Sequence, residues 1–304
     1  MPPTLRQLEY AVAVAKTRHF GRAAAACHVS QPGLSSQLKE LEETLGVRLF
    51  ERGSGRVLPT PAGESVVAAA GRILAEVEGL MGAARGHAKP LSGTLRLGAI
   101  PTIAPYLLPR VLPAVRKAHP ELKLLLREER TPDLLAGLSL GDIDVALLAL
   151  PLRSRGITTV ALAQDPLFVV VPPAHRLAQR AASGGKRKAV GEDELEGEEM
   201  LVLEEGHCLG EQALQICRVA RAAERLDFRG TSLAMLVEMV AGGLGVTVVP
   251  GVAVTGGLLK GGRVVALPLK GPRSVREIAL AWRSSAPAEA ELKLLAATIR
   301  GALA

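Results

Sequence analysis

Aromatic side chains are scarce in this 304-residue chain: one Trp, two Tyr and four Phe. So few π-faces exclude recognition of single strands or RNA loops by stacked bases. Cysteine is scarcer still, at three residues. An odd, small number of thiols is not a disulfide framework, so any cysteine pair here would be regulatory or catalytic. No apolar stretch reaches the roughly 18 residues of a membrane span. The N-terminal segment carries Arg6, Glu9 and Lys16 among its apolar residues, so no secretory signal is expected and the compartment is expected to be the cytoplasm. Charge is not in short supply: 37 basic against 30 acidic residues give a net charge of +7, which permits an anionic partner such as DNA. The length exceeds what one hydrophobic core supports, so at least two domains are expected.

Residues 4–17 place Leu5, Leu8, Val12 and Ala15 at helical spacing, and a short Ala-rich helix fits Gly21–His28. Ser30 reads as an N-cap with Pro32 in the first turn of a third helix ending near Leu45. On it Leu34, Leu38, Leu41 and Leu45 form one stripe, while Pro32, Ser36 and Lys39 point away, flanked by Gln31 and Ser35. Helix, short turn, helix is the geometry of a helix-turn-helix, whose second helix enters the major groove by its N-terminal half. Gln31, Pro32, Ser35, Ser36 and Lys39 are therefore the candidate groove-facing residues. Arg22, Arg52 and Arg56, the last two around a Gly-rich stretch that suits a wing, are candidate phosphate contacts.

Thr60 and Pro61 open a long helix to about Gly86. Val66, Ala70, Ile73, Val77 and Leu80 alternate at intervals of four and three, the seam of a coiled coil, from which a dimer follows. An amphipathic helix packed on its own domain would show the same pattern. Beyond the hinge-like Lys89–Gly93, runs at Leu95–Ile100, Leu122–Arg127 and Asp144–Leu150 alternate with helical patterns at Ala104–His119 and Pro132–Leu140. This is the signature of βαβ units and a parallel sheet. Pro109 and Pro113 should break or kink the first of these helices. Further strands fit Leu167–Val171, Leu201–Leu203, Gly245–Val249, Arg263–Leu267 and Ile278–Trp282. Residues 178–199 read as an exposed loop with a solvated charge run. The histidines are too dispersed for metal-ligand spacing, and neither metal nor cofactor is expected.

The first 60 residues resemble the winged helix-turn-helix of LysR-type transcriptional regulators, through Leu5–Leu8–Tyr10, His19–Phe20, Ala23–Ala25, Val29–Ser30–Gln31–Pro32, Leu34–Ser35, Leu41–Glu42, Leu45–Gly46 and Leu49–Phe50–Glu51–Arg52. The likeness implies an α/β protein with that DNA-binding domain at 1–60, a linker and dimerisation helix at 61–88, and a regulatory domain of periplasmic-binding-protein type at 92–304. The regulatory domain would have one lobe of about 92–163 and 268–304 and a second of about 164–267. It implies a regulator and not an enzyme, acting on double-stranded promoter DNA and RNA polymerase as a dimer or a dimer of dimers.

Within that family the chain is similar to its peroxide-sensing branch, through Arg18–Phe20, Cys27–Pro32, Ile100–Pro101–Thr102, Pro105–Pro109 and, above all, Glu204–Leu209 with Gln212–Ala213 and Cys217. That resemblance implies hydrogen peroxide as effector and a disulfide between Cys208 and Cys217. It also implies a peroxide pocket of Thr102, Thr131 and His207, with Arg276 as a cation near the sulfur. One position departs from the branch: Gly210 stands where it carries a basic residue. If the regulator lacks redox chemistry, a small organic effector bound between the lobes is the other reading, and Gly210 speaks for it.

The residues bear on these roles in their own right. Cys208 precedes a helical pattern at Glu211–Arg225, whose positive end would favour a thiolate, and His207 offers a hydrogen bond or, if protonated, a charge. Thr102 and Thr131 follow strands, where open α/β sheets bind ligands, yet either could equally cap the next helix. Cys217, beside Leu214 and Ile216, could be a core residue, and Cys27 reads as a small apolar thiol. On one continuous helix Cys208 and Cys217 would lie on opposite faces, on the order of 14 Å apart. A disulfide needs Cα atoms within about 6.8 Å, so oxidation has to unwind the segment.

Overall fold

The computed structural model describes residues 2–52, 57–84, 90–152, 154–182 and 189–303. The chain divides into two compact units, one of residues 1–89, 136–144 and 285–288, the other of 90–135, 145–284 and 289–304.

The first unit begins with α1 (Leu5–Thr17), α2 (Phe20–Ala26) and α3 (Gln31–Leu45), continues through β1 (Phe50–Arg52) and β2 (Val57–Pro59), and enters α4 (Pro61–Ala84). The Ser30 hydroxyl accepts the Gly33 N–H with Pro32 in the first turn, as expected. Leu34, Leu38 and Leu41 are buried, but Leu45 is 36% exposed, so the apolar stripe ends a turn early. The Thr60 hydroxyl accepts the Gly63 N–H at 2.9 Å and starts α4 with Pro61 as its first residue. β1 and β2 pair antiparallel as a wing. The wing tip, Arg56 included, and Lys89 of the expected hinge lie outside the described residues, as does the side chain of Arg52.

The expected seam on α4 divides. Val67 and Ala70 are buried in the core of this unit with Leu8, Val12, Leu38 and Phe50. Ile73 and Leu80 are 45% and 69% exposed, and Val66 and Val77 are half-buried. The helix packs on its own unit over its first turns, and beyond them Ile73 and Leu80 stay exposed.

Beyond residue 89, β3 (Gly93–Ala99), α5 (Ala104–Ala118), β4 (Leu122–Glu128), α6 (Thr131–Leu140) and β5 (Val145–Leu150) form the expected βαβ units, with β3 parallel to both β4 and β5. α5 runs unbroken through Pro109 and Pro113, contrary to expectation. Pro105, Pro109 and Pro113 recur every four residues on the exposed face, so each carbonyl deprived of its N–H partner faces solvent.

The chain continues through β6 (Ile157–Val171), α7 (Arg176–Ala182), β7 (Val190–Gly191), a 3-10 turn at Glu192–Leu195, β8 (Glu199–Leu203), α8 (Cys208–Ala220), β9 (Ala223–Gly230), α9 (Leu233–Ala241), β10 (Thr247–Pro250), α10 (Gly251–Thr255), β11 (Val265–Lys270), β12 (Val275–Arg283) and α11 (Glu289–Leu303). The sheet is mixed and not simply parallel, because β12 lies antiparallel between β5 and β6. Residues 157–166 of β6 pair with β12, whereas Leu167–Val171 pair with β10 and β11. β6 therefore passes from pairing with β12 to pairing with β10 and β11 at Asp165–Pro166. Of the expected loop 178–199, residues 183–188 lie outside the described residues; the described part is not plainly solvated, since Glu192 and Leu195 are buried and Glu198 holds His175 and Arg176.

Candidate functional site

Cys208 is the first residue of α8 rather than a residue preceding it, and the helix ends at Ala220, ahead of an unforeseen strand β9. Leu209, Ala213, Ile216, Cys217 and Ala220 are buried along one face of α8, the helical period that fixes its orientation. His207 takes the N-cap position without a capping bond, and Gly206, at φ +90°, makes the turn that aims the helix N-terminus into a crevice. Ile100–Thr102, Arg130, Thr131 and Gly206–Cys208 line that crevice.

The Cys208 thiol feels opposing forces. Burial dominates and raises its pKa above the ordinary 9.0; the Arg276 cation, a hydrogen bond from Thr131 and the Leu209 N–H pull it back, and Glu211 pushes it up. The helix N-terminus and cation foreseen from sequence are both present, but in this closed state desolvation outweighs them. His207 is buried, and burial first and Arg130 second hold its imidazole below the ordinary 6.5, so it is neutral at pH 7 and not the charge that the sequence left open.

Arg276 is the centre of the site. Its Nε donates to Asp165 Oδ2 at 2.9 Å, Nη1 to the Thr102 hydroxyl at 2.9 Å, and Nη2 to the Thr102 carbonyl at 3.2 Å. Asp165 Oδ1 in turn accepts the Val252 N–H at 2.9 Å, and both charged side chains are fully buried. Neither threonine caps a helix: Ile103 occupies the N-cap of α5, and the buried Thr131 hydroxyl, with no other hydrogen-bond partner among the described residues, lies beside the Cys208 thiol. On its other side Cys208 borders a cleft of about 710 Å³ with Gln164, Gln212, Gln215 and Glu277.

Cys217 lies in the apolar core with Leu209, Ile216, Ala220 and Leu233, and both helix cysteines are free. Burial first and Glu224 second push its pKa from 9.0 up to about 11. The folded state holds this proton more tightly than the unfolded chain does. Its stabilising share is thus complete below about pH 9 and lost as pH rises through 11. The expected loss is on the order of 2–3 kcal/mol, at about 1.4 kcal/mol per pH unit. Urea midpoints measured from pH 8 to 11 should fall more steeply for the wild type than for Cys217→Ala; parallel slopes would mean a solvated thiol.

On α3, Gln31, Pro32, Ser36 and Lys39 are exposed and Ser35 is half-buried, so the structure brings the expected groove-facing residues onto one helical face. Lys39 already pairs with Glu43 at 3.6 Å, and Arg22 folds back onto the Thr17 carbonyl at 2.8 Å.

Residues 5–64 match the model of bacterial regulatory helix-turn-helix proteins of the lysR family, and residues 88–304 match the LysR substrate binding domain. The chain belongs to the lysR family. It is 42% identical over 296 residues to the hydrogen peroxide-inducible genes activator of Dickeya chrysanthemi, covering 97% of this chain and 94% of that one. The same identity and coverage hold for the DNA-binding transcriptional dual regulator OxyR of Escherichia coli. Full-length OxyR of Pseudomonas aeruginosa, solved as a variant of one cysteine, superposes with a TM-score of 0.80 at 35% identity, over 99% of this chain and 95% of the other. This LysR-family chain is a transcriptional regulator and not an enzyme.

Three residues of this regulator escaped the sequence. Asp165 precedes a proline, which reads as a turn and hides its place inside β6. Glu42 accepts the Leu49 N–H at 2.7 Å and the Phe50 N–H at 3.3 Å, pinning the wing to α3. His19 caps α2 through Nδ1, accepting from Gly21 and Arg22; an aromatic cap lies outside the usual Ser, Thr, Asp and Asn preference. Gly210 has a packing reason: a Cβ there would stand 2.8 Å from the Leu203 carbonyl, so α8 starts closer to β8 than any side chain allows. Among the described residues no cluster suits a metal.

Proposed function

We propose that this lysR-family regulator senses hydrogen peroxide through Cys208 and stores the signal as a Cys208–Cys217 disulfide. The observation that carries the reading is a cysteine in the first turn of α8 facing Thr131 and the Arg276 cation, groups that lower the energy of a thiolate. The names of its relatives point the same way. The Cys208 thiolate attacks one peroxide oxygen: the S–O bond forms, the O–O bond breaks, and hydroxide leaves to give sulfenic acid. Cys217 as thiolate then displaces the sulfenic hydroxyl, which leaves as hydroxide and takes a proton to give water. Thr102 hydrogen-bonds the peroxide: its oxygen is occupied by Arg276, so its own proton is there to donate. Thr131 and neutral His207 complete that pocket. Because α8 is one helix from Cys208 to Ala220, bond formation requires its first turns to unwind, a rearrangement able to repack a subunit interface.

In the same reading, residues 1–60 bind promoter DNA in the cytoplasm. Gln31, Pro32, Ser35, Ser36 and Lys39 sit in the major groove, and Arg22, Arg52 and Arg56 meet phosphates. Helix 61–88 joins two copies through Val66, Ile73, Val77 and Leu80, two dimers make a tetramer, and RNA polymerase receives the output. Residues 92–304 form the regulatory domain, with lobes of 92–163 plus 268–304 and 164–267.

Free-thiol counting by mass spectrometry before and after a stoichiometric pulse of hydrogen peroxide tests the switch. The expected result is rapid loss of two thiols mapped to a Cys208–Cys217 disulfide, abolished in Cys208→Ser. Three intact thiols would move the assignment to the second reading, a small organic effector. The cleft of about 710 Å³ beside Cys208 favours that reading, since it is of the size that holds such ligands.

A further inference from the structure

The crevice beside Cys208 is shut. It nowhere widens enough to seat a water molecule, and although Cys208 also borders the open cleft on its other side, only an oxidant that enters this crevice meets Sγ beside Thr102, Thr131 and His207. One wall has to move, and the walls differ in how firmly they are held. Ile100 donates its N–H to the Leu147 carbonyl at 3.1 Å. Thr102 is held through both its hydroxyl and its carbonyl by the buried Arg276. Thr131 belongs to α6.

Arg130 differs. Its side chain is 45% exposed, and its Nη1 reaches from the β4–α6 loop across to the loop before α8, donating to Glu204 Oε1 and to the Glu205 carbonyl, each at 3.1 Å. The Gly206 backbone lies against its stem, where even a Cβ would stand 3.2 Å from Arg130 Cδ. Its proximity also disfavours the charged form of His207. A solvent-exposed ion pair holds weakly and is screened by salt, so this is the wall that opens at least cost.

We propose that Arg130 is the gate of the crevice and a specificity-determining residue of the oxidation. A slight withdrawal admits an oxidant as narrow as hydrogen peroxide; full withdrawal exposes the sulfur to alkyl hydroperoxides as well. With these the same attack forms the S–O bond, breaks the O–O bond and releases the alkoxide, which leaves as alcohol once protonated. The choice of oxidant rests on the peroxide reading above, whereas the gating of Cys208 does not.

The test measures, on full-length protein, the rate at which the Cys208 peptide is alkylated by iodoacetamide and by bulkier N-ethylmaleimide, and its oxidation by hydrogen peroxide and by tert-butyl hydroperoxide. Arg130→Ala should accelerate alkylation about three- to tenfold, what one weak exposed pair and one hydrogen bond are worth, with the bulkier partner of each pair gaining more. Removing a cation by itself slows a thiolate, so acceleration isolates the steric effect. Glu204→Gln, which keeps the guanidinium but weakens its anchor, should give a smaller gain. Added salt should speed the wild type and leave Arg130→Ala unchanged. Alkylation unchanged or slowed in both variants overturns the gate, as does an equal gain for small and bulky reagents. If alkylation accelerates while Cys208 stays inert to hydrogen peroxide in the wild type, the gate stands and the peroxide reading falls.

Discussion

Replacing Arg276 by methionine is expected to cost about 3–5 kcal/mol of folding stability, the usual consequence of stranding a buried partner charge. The magnitude follows from burial: both side chains of the Arg276–Asp165 pair are inaccessible to solvent. Without the guanidinium, Asp165 is left with the Val252 N–H among the described residues, and the Thr102 hydroxyl and carbonyl each lose a donor. An isosteric double change, Arg276→Met with Asp165→Leu, should recover much of the loss, because it removes the stranded carboxylate as well. The single variant should also raise the Cys208 pKa further, since Arg276 is the strongest of the groups drawing it down. At fixed pH its thiolate fraction, and with it the rate of alkylation, should fall. Urea unfolding and the pH profile of iodoacetamide labelling give the two readouts. An unchanged urea midpoint would mean that water reaches the pair and that the buried network does not exist in solution.

Gly210→Arg is the second large effect, and its sign separates two accounts of that position. In an open helix interior, replacing Gly by Arg stabilises by somewhat less than about 1 kcal/mol through helix propensity. Here the new Cβ would stand 2.8 Å from the Leu203 carbonyl, a backbone atom that cannot rotate away. Overpacking of this kind costs about 1–3 kcal/mol. The net expectation is destabilisation, with the first turn of α8 displaced from β8 and Cys208 labelled faster. A variant as stable as the wild type, with Cys208 unaltered, would show that Gly210 is a neutral replacement for a basic residue and not a packing requirement.

Both effects concern a site whose parts differ in how far the sequence discloses them. The helix-turn-helix was legible because its signals are local: the Leu34–Leu38–Leu41 stripe, the Ser30 cap and the Thr60–Pro61 start each lie within one or two turns of chain. Cys208 at the start of α8 was legible for the same reason, although the helix proved to begin three residues earlier and end five earlier than Glu211–Arg225. Asp165 was not, since an Asp–Pro pair signals a turn and only pairing with β12 turns it into strand.

What the amino-acid order determined by itself is therefore the kind of molecule: a winged helix-turn-helix followed by an α/β domain, with one reactive-cysteine candidate beside a histidine. Periodicity, caps and turn residues act over a few positions and survive being read along a line. Tertiary structure alone decided the chemistry of the site. Arg276 meets Asp165 across 111 positions and Thr102 across 174, distances over which no local pattern extends. It also decided which of two opposing forces wins at Cys208, because desolvation depends on what surrounds the sulfur on every side, and that packing comes into being only when distant segments meet.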